Sequence, residues 1–133
     1  MKKILIAAVI AMVALSGCTS RADKAAEMAG SFLTCFFNMD YDGASAFCTD
    51  EIASMLRDTL TANEYPSEEI REKVAEASRN TEFKVLSSEV EEETGDIVVS
   101  YQVIPYGASK NAAIPHRMRI ARIDGDLKIK ALE

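Results

Sequence analysis

Oxygen-bearing side chains alternate in the short segment NMDYDG, which begins at Asn38. Asn38, Asp40 and Asp42 are followed by Gly43, which is how the calcium-binding loop of an EF-hand begins. A complete loop also needs a bidentate glutamate at its twelfth position, because calcium takes six to eight oxygen ligands. Counted from Asn38, that position holds Thr49. The segment is therefore predicted to be a tight turn between two helices, and no metal site is predicted.

Two residues that can carry acid–base chemistry fall on neighbouring predicted strands. His116 is the single histidine of the chain, and an imidazole can act as a general base near neutral pH. Tyr101 could donate a hydrogen bond to a developing oxyanion. Chemistry of this kind also needs a buried carboxylate as base, and the inward rows of the predicted strands contain none. The sequence therefore favours two packed rings over a catalytic pair.

The chain contains three cysteines, Cys18, Cys35 and Cys48. Cys35 and Cys48 lie at similar distances from the predicted turn, so they could form a disulfide in an oxidising compartment. A bridge that closes so short a loop stabilises the fold by about 3 kcal/mol. The alternative is that both thiols are small buried hydrophobic groups. No C-x-x-C pair occurs, so neither a redox site nor a zinc site is predicted.

The N-terminal segment MKKILIAAVIAMVALSGC has the layout of an export signal. Lys2 and Lys3 precede an apolar run that is too short to span a bilayer, which takes about 20 residues. The final LSGC resembles the lipobox of bacterial lipoproteins, which implies cleavage before Cys18 and acylation of Cys18. On this resemblance, residues 1–17 are a signal peptide that is removed, residues 18–22 are the lipidated cysteine with a short tether, and residues 23–133 form one domain.

The composition bears on the partners of the chain. It carries 15 basic and 21 acidic side chains, a net charge of −6. An acidic protein gains nothing from counterion release on a phosphate backbone, so nucleic acid is not a predicted partner. Fatty chains on Cys18 would instead hold the protein on a bacterial membrane outside the cytosol. Thr19 is not the aspartate that retains some lipoproteins at the inner membrane, which favours the outer membrane, facing the periplasm.

Hydrophobic periodicity divides the rest of the chain into helices followed by strands. Apolar residues recur at helical spacing over residues 22–36 and 44–60, with a restart predicted at Thr49. Ser67 is the predicted N-cap of a third helix. From Thr81 the period becomes two, which predicts four strands joined by short turns, the first with a bulge or a curve. The predicted fold is α+β, with two to three N-terminal helices packed on a curved four-stranded antiparallel sheet.

The order of these elements resembles a known superfamily. A helix, an N-x-D-Y turn, a second helix with a CTDE start and four strands, over about residues 22–133, are similar to the nuclear-transport-factor-2-like superfamily. The closer resemblance is to small bacterial lipoproteins of that cystatin-like fold, a branch whose function is unassigned. It implies a cone-shaped sheet around a cavity. The residues expected to line this cavity are Phe32, Phe36, Val99, Tyr101, Val103, His116, Met118 and Ile120.

The superfamily includes isomerases and dehydratases as well as binding modules, so the fold alone does not select a function. The leading prediction is a lipid-anchored envelope protein of non-catalytic type, without a cofactor, that holds a small apolar ligand or a protein partner. The alternative is an enzyme of the isomerase or dehydratase type, with Tyr101 and His116 as its acid–base residues. The oligomeric state stays open.

Overall fold

The computed structural model describes residues 17–62 and 67–133, with side chains over residues 21–58 and 67–133. Residues 1–16 of the predicted signal peptide, and the side chain of Cys18, lie outside this description. Four helices come first: α1 (Gly17–Phe37), α2 (Tyr41–Ser45), α3 (Asp50–Ala62) and α4 (Glu68–Arg79). Four strands follow: β1 (Glu82–Val90), β2 (Ile97–Ile104), β3 (Ile114–Ile123) and β4 (Asp126–Leu132). The predicted α+β class is confirmed.

The four strands form one open antiparallel sheet in the order β1-β2-β3-β4, so each strand pairs with its neighbour along the chain. Two positions break the regular pairing. Leu86 is an extra residue in β1, and Lys130 is an extra residue in β4. Such bulges bend a strand and increase its twist. The bulge in β1 confirms the irregularity predicted for the first strand.

The first helix lies along the sheet, over β1 and β2. Near its start, the Ser88 hydroxyl donates a 2.7 Å hydrogen bond to the carbonyl of Ala22. At its end, the ring of Phe37 stacks on Phe83 with centroids 6.1 Å apart. Because Phe83 lies near the start of β1 and Ser88 near its end, α1 runs antiparallel to β1. The helix already begins at Gly17, so residues 18–22, expected to form a tether, are helical.

The apolar residues of α1 and α3 meet the inward face of the sheet in a single core. Its most buried large side chains are Phe32, Ile97, Val99, Met118, Ile120 and Ile129, each at most 2 % exposed. On β2, residues 97, 99 and 101 are buried and alternate with half-buried residues, as predicted. By contrast, α4 has no buried residue. The amphipathic pattern therefore gives the correct inward face for α1 and β2.

The segment between α2 and α3 is not helical, so the helix predicted over residues 44–60 is two helices. Here the backbone pairs with the edge of β4: the Ile129 N–H donates to Phe47, and the Thr49 N–H donates to Ile129, at 2.8 and 2.9 Å. The Thr49 hydroxyl then accepts from the Ile52 N–H at 3.5 Å, at the start of α3. The restart predicted at Thr49 is confirmed, and the described residues contain four helices rather than two or three.

The NMDYDG segment is a turn that leads into α2. Met39 adopts a positive φ of 62°. The Asp40 carboxylate accepts a 3.0 Å hydrogen bond from the Gly43 N–H and caps α2. This carboxylate therefore serves as a helix cap, and the predicted turn is confirmed.

The two cysteines on either side of this turn are free thiols. Cys48 is buried, and its sulfur lies 3.5 Å from the carbonyl of Ala44, to which it donates. Pairing of the neighbouring backbone with β4 holds Cys48 against the sheet edge. The disulfide considered from the sequence is not formed, and Cys48 packs as a small buried hydrophobic group.

Candidate functional site

A pocket of about 430 Å³ lies between the C-terminal half of α1 and one end of the sheet. Four of its lining residues come from the helix: Phe32, Leu33, Phe36 and Phe37. Five come from the sheet: Tyr101, Val103, His116, Leu132 and Glu133. We call this cavity the apolar pocket, because hydrocarbon and aromatic side chains form most of its wall. Its volume is within the range of about 300–1,000 Å³ that is typical of small-molecule sites.

One border of the pocket is the start of β3, beyond the residues of β3 that pair with β4. Leu132 pairs with Met118, and the backbone of Glu133 pairs with Arg117, so the first residues of β3 have no neighbour on that side. Ile114, at the start of β3, is 46 % exposed. The open end of the sheet therefore leaves a space beside the last turns of α1.

Aromatic rings make the helical side of the pocket rigid. Phe32 and Phe36 lie one turn apart on α1, and their rings stack with centroids 5.9 Å apart. Phe36 also makes edge-to-face contacts with Phe37 at 5.2 Å and with Tyr41 at 5.6 Å. Each such pair contributes about 0.5–1.5 kcal/mol beyond the burial of its surface. This wall is therefore largely formed before any ligand binds.

The polar part of the wall includes Tyr101 and His116, which are direct partners in the β2–β3 register. Their rings stack with centroids 5.5 Å apart and an interplanar angle of 20°. Tyr101 is 7 % exposed, and its burial raises the pKa of the phenol, so the hydroxyl stays protonated at neutral pH. The His116 Nδ1 atom lies 3.3 Å from the carbonyl oxygen of Glu133. Both side chains can donate hydrogen bonds.

Glu133 contributes a side-chain carboxylate to the pocket lining, but both of its oxygens are paired with arginines. Its Oε1 atom lies 3.1 Å from Nη2 of Arg117, and its Oε2 atom accepts from Nε of Arg119 at 3.2 Å. No other carboxylate lines the pocket in the part of the chain that the structure describes. The pocket therefore offers hydrogen-bond donors and apolar surface, but not a free carboxylate base.

A second cavity, also of about 430 Å³, shares this wall. It is bordered by Tyr101, His116 and Glu133, together with Leu86, the bulge residue of β1, and Arg117. Because Leu86 is 51 % exposed, this cavity opens towards the outer side of the sheet. The stacked Tyr101–His116 pair therefore separates two concave surfaces.

The eight residues predicted to line a cavity divide into two groups. Five of them border the apolar pocket: Phe32, Phe36, Tyr101, Val103 and His116. Val99, Met118 and Ile120 are instead 0 % exposed, inside the core. Strict alternation along β4 placed Ala131 inward, but the bulge at Lys130 brings Leu132 to the pocket. Sequence reasoning therefore missed Leu132, and nothing in the residues of β4 indicates the bulge.

The acidic residues of the β1–β2 turn are paired with cations of the facing strands. Arg119 donates to both carboxylate oxygens of Glu91, at 2.9 and 3.3 Å, which lowers the pKa of Glu91. Lys130 lies 2.8 Å from Asp96, whose side chain is only 7 % exposed. Basic residues of β3 and β4 therefore balance part of the charge of this acidic turn.

Three broader observations complete the description. Among the described residues, no group of three or more histidine, cysteine or acidic side chains could hold a metal ion. No helix in the described part of the chain combines the length and the apolar character that crossing a bilayer requires. Comparison of the chain with protein-family models, with curated proteins and with solved structures found no match.

Proposed function

We propose that this protein is a lipid-anchored protein of the bacterial cell envelope that binds a small apolar ligand in the apolar pocket. The observation that carries the proposal is the pocket of about 430 Å³ with its wall of phenylalanine, valine and leucine side chains. Each methylene group that enters such a site contributes about 0.8 kcal/mol, which corresponds to about fourfold in affinity. Hydrocarbon is the ligand chemistry that this lining favours.

The anchoring part of the proposal rests on the segment that ends in LSGC. Labelled palmitate supplied to the expressing bacterium should enter the wild-type protein and be lost in Cys18→Ser. Cys35→Ser is the matched control and should retain the label. Label that survives Cys18→Ser, or that never enters the wild-type protein, would contradict the anchor.

We also infer that the sheet curves around α1 in the manner of the nuclear-transport-factor-2-like superfamily. The bulges at Leu86 and Lys130, and a single long helix along one face, support this inference. An experimental structure in which the sheet is flat, or in which the open end of the sheet is covered, would contradict it.

The ligand can be tested by photochemical labelling of the full-length protein in intact cells. An alkyl probe of about eight carbons with a terminal diazirine should cross-link to the last turns of α1 or to Leu132. Val103→Trp fills the pocket and should reduce the labelling at least fivefold. Val98 lies on the other face of β2, so Val98→Trp should leave the labelling unchanged. Equal labelling of both variants would contradict ligand binding in the pocket, and capture of a protein at these residues would favour the partner alternative.

A second candidate function, acid–base catalysis, is favoured by the presence of Tyr101 and His116 in one pocket wall. A pair that stabilises an oxyanion should bind 4-nitrophenol more tightly than 4-nitroanisole, and Tyr101→Phe should abolish that preference. A pocket that only buries hydrocarbon should bind the two probes with similar affinity. This comparison therefore distinguishes the enzyme from the binding protein.

A further inference from the structure

A third cavity, of about 570 Å³, lies at the opposite end of the sheet from the apolar pocket. The first described turns of α1 meet the β3–β4 hairpin there. Four cationic side chains line it: Arg21 and Lys24 from α1, and Arg122 and Lys128 from the hairpin. We call this cavity the basic pocket. Asp126 is the one acidic residue in its lining.

These cations are not neutralised by the protein. None of the four forms an ion pair with any residue that the structure describes, and Lys128 donates only to the carbonyl of Ala46, at 3.2 Å. The Nε atom of Arg21 is buried and has no hydrogen-bond partner among the residues that the structure describes. A buried guanidinium donor without a partner is costly, and a ligand oxygen would satisfy it.

Three further acidic residues lie on the same elements but are not part of the pocket lining. Asp23 and Glu27 lie on α1, but both are exposed and neither lines the basic pocket. Asp124 in the hairpin turn is exposed as well. The whole chain carries a net charge of −6, whereas the lining of this pocket has four cationic side chains and one acidic side chain. A local excess of cations on an acidic protein indicates an anionic ligand.

The position of the basic pocket in the fold identifies the source of the anion. Arg21 and Lys24 follow Cys18 by three and six residues in the same helix. At about 1.5 Å per residue, they lie about 5 and 9 Å from Cys18 along the helix axis. The Debye length at physiological ionic strength is about 8 Å, so the first distance is within it and the second is close to it. A lipid on Cys18 would therefore hold the basic pocket at the headgroup layer of the membrane.

We propose that the basic pocket binds the phosphate headgroup of an anionic phospholipid beside the anchor, an inference that rests on the proposed acylation of Cys18. Guanidinium groups bind phosphate oxygens in a bidentate manner, and the two lysines add charge around them. Basic side chains near an anionic leaflet are attracted to its surface. Binding at this end gives the domain a fixed orientation, with the apolar pocket pointing away from the lipid.

The test uses full-length protein produced in bacteria, purified from membranes and reconstituted into nanodiscs of phosphatidylglycerol or of phosphatidylcholine. Acetylation by N-hydroxysuccinimide acetate is followed at Lys24, with the exposed Lys110 at the far end of the sheet as an internal reference. Relative to Lys110, we expect Lys24 to react about fivefold more slowly in the anionic discs, and high salt to remove the difference. Equal rates in the two lipids would overturn the proposal.

Charge-reversal variants separate binding from mere proximity to the membrane. Arg21→Glu with Arg122→Glu should abolish the protection of Lys24 in anionic discs. The control, Arg71→Glu with Lys73→Glu on the exposed helix α4, changes the net charge equally and should preserve the protection. Protection that survives in the first variant, or that is lost in both, would contradict headgroup binding in this pocket.

Two further measurements identify the reason for a negative result. The intact mass of the purified protein reports whether Cys18 carries acyl chains. If Cys18 carries no acyl chains, the anchor and the headgroup proposal are both refuted. If Cys18 is acylated but Lys24 is not protected, the anchor stands and only the headgroup site is refuted. Millimolar inorganic phosphate is then added to the phosphatidylcholine discs. If it protects Lys24 as well as anionic lipid does, the pocket binds free phosphate, and docking on the membrane is refuted.

Discussion

The rings of Tyr101 and His116 lie face to face across β2 and β3, with centroids 5.5 Å apart. They are the polar members of a pocket wall that otherwise consists mainly of apolar and aromatic side chains. The stacked pair holds each ring in place, because either one could turn only by losing contact with the other. The shape of the apolar pocket at this point therefore depends on two rings rather than on one.

The first prediction concerns the Tyr101 ring. Tyr101→Phe retains the stacked ring and should keep labelling by the alkyl probe within about twofold of wild type. Tyr101 is only 7 % exposed, so Tyr101→Ala removes a buried ring. This substitution should lower the free energy of unfolding by about 3–5 kcal/mol. Urea unfolding and photolabelling measure the two effects. A loss of labelling in Tyr101→Phe would show that the hydroxyl, and not hydrocarbon contact, recognises the ligand.

The second prediction concerns the pH dependence of stability through Cys48. Burial raises the pKa of its thiol to about 11, although nearby Lys128 opposes the shift. Between about pH 9 and pH 11 the unfolded chain loses this proton while the folded protein keeps it, so stability falls as the pH rises. A shift of about two pKa units corresponds to a loss of up to about 3 kcal/mol.

Urea unfolding at a series of pH values checks this effect. Cys48→Ser and Cys48→Ala have no thiol to titrate at this position, so each should lose less stability than wild type from about pH 8.5 to pH 11. Burial also raises the pKa of Tyr101, but that residue is present in all three proteins. The difference between wild type and variants therefore isolates Cys48, and parallel pH curves would refute its contribution.

The third prediction concerns the ion pair between Lys130 and Asp96. The Lys130 ammonium lies 2.8 Å from a carboxylate that is 7 % exposed, whereas Arg119 is more distant from it, at 3.6 Å. Lys130→Met should lower the free energy of unfolding by about 1–2 kcal/mol, because the buried carboxylate loses its nearest partner while Lys130 itself is partly exposed. Chemical denaturation at low salt measures the change.

Lys84→Met provides the control for this prediction. Lys84 is exposed on β1 and forms no ion pair with the described residues, so its replacement should change stability by less than about 0.5 kcal/mol. Lys130→Met should also lower the free energy of unfolding by a smaller amount when Asp96→Asn is already present. Equal costs for the two lysines would contradict a specific role for the Lys130–Asp96 pair.

The fourth prediction concerns Gly43, which sits against the cap of α2. A Cβ atom at Gly43 would overlap the Asp40 carboxylate, with the Asp40 Cγ atom only 2.9 Å away. Gly43→Ala should therefore lower stability by about 1–2 kcal/mol, because Asp40 must give up its capping hydrogen bond. In the Asp40→Ala background the same change should cost less, which a double-mutant cycle measures.

Gly30→Ala is the matched control for Gly43. Gly30 lies within α1, and nothing is within 4 Å of a Cβ atom added there. Alanine is a better helix former than glycine by about 0.8–1.0 kcal/mol, so Gly30→Ala should stabilise the protein. If both glycine variants gain stability, the overlap with Asp40 does not constrain the turn.

The parts of the fold that local patterns determine could be predicted. The apolar stripe of α1, the N-cap of α4 at Ser67 and the alternation along β2 each depend on residues close together in the chain. The bulge at Leu86 also disturbs the local pattern and could be read from it. The bulge at Lys130 leaves no such trace in β4, so the contribution of Leu132 to the pocket could not be predicted.

Contacts between distant segments were beyond prediction. The pairing of Phe47 and Thr49 with Ile129 splits the predicted second helix, and no local signal indicates this partner on β4. Arg21 and Arg122 are about a hundred residues apart in the sequence. Taken alone, each would be interpreted as an ordinary charged residue of the surface. Only the position of the β3–β4 hairpin near the start of α1 brings their charges into one pocket.

The 21 residues of α1 separate its two ends by about 30 Å. With the proposed acylation at the first turn and the proposed headgroup binding beside it, the phenylalanine wall near Phe36 would lie about one helix length from the lipid. A hydrocarbon leaving the bilayer for this wall would have to cross water, and each exposed methylene adds about 0.8 kcal/mol to that barrier. Transfer would slow about fourfold with each added carbon. The length of one helix would therefore favour the transfer of short hydrocarbon chains and leave long ones in the membrane.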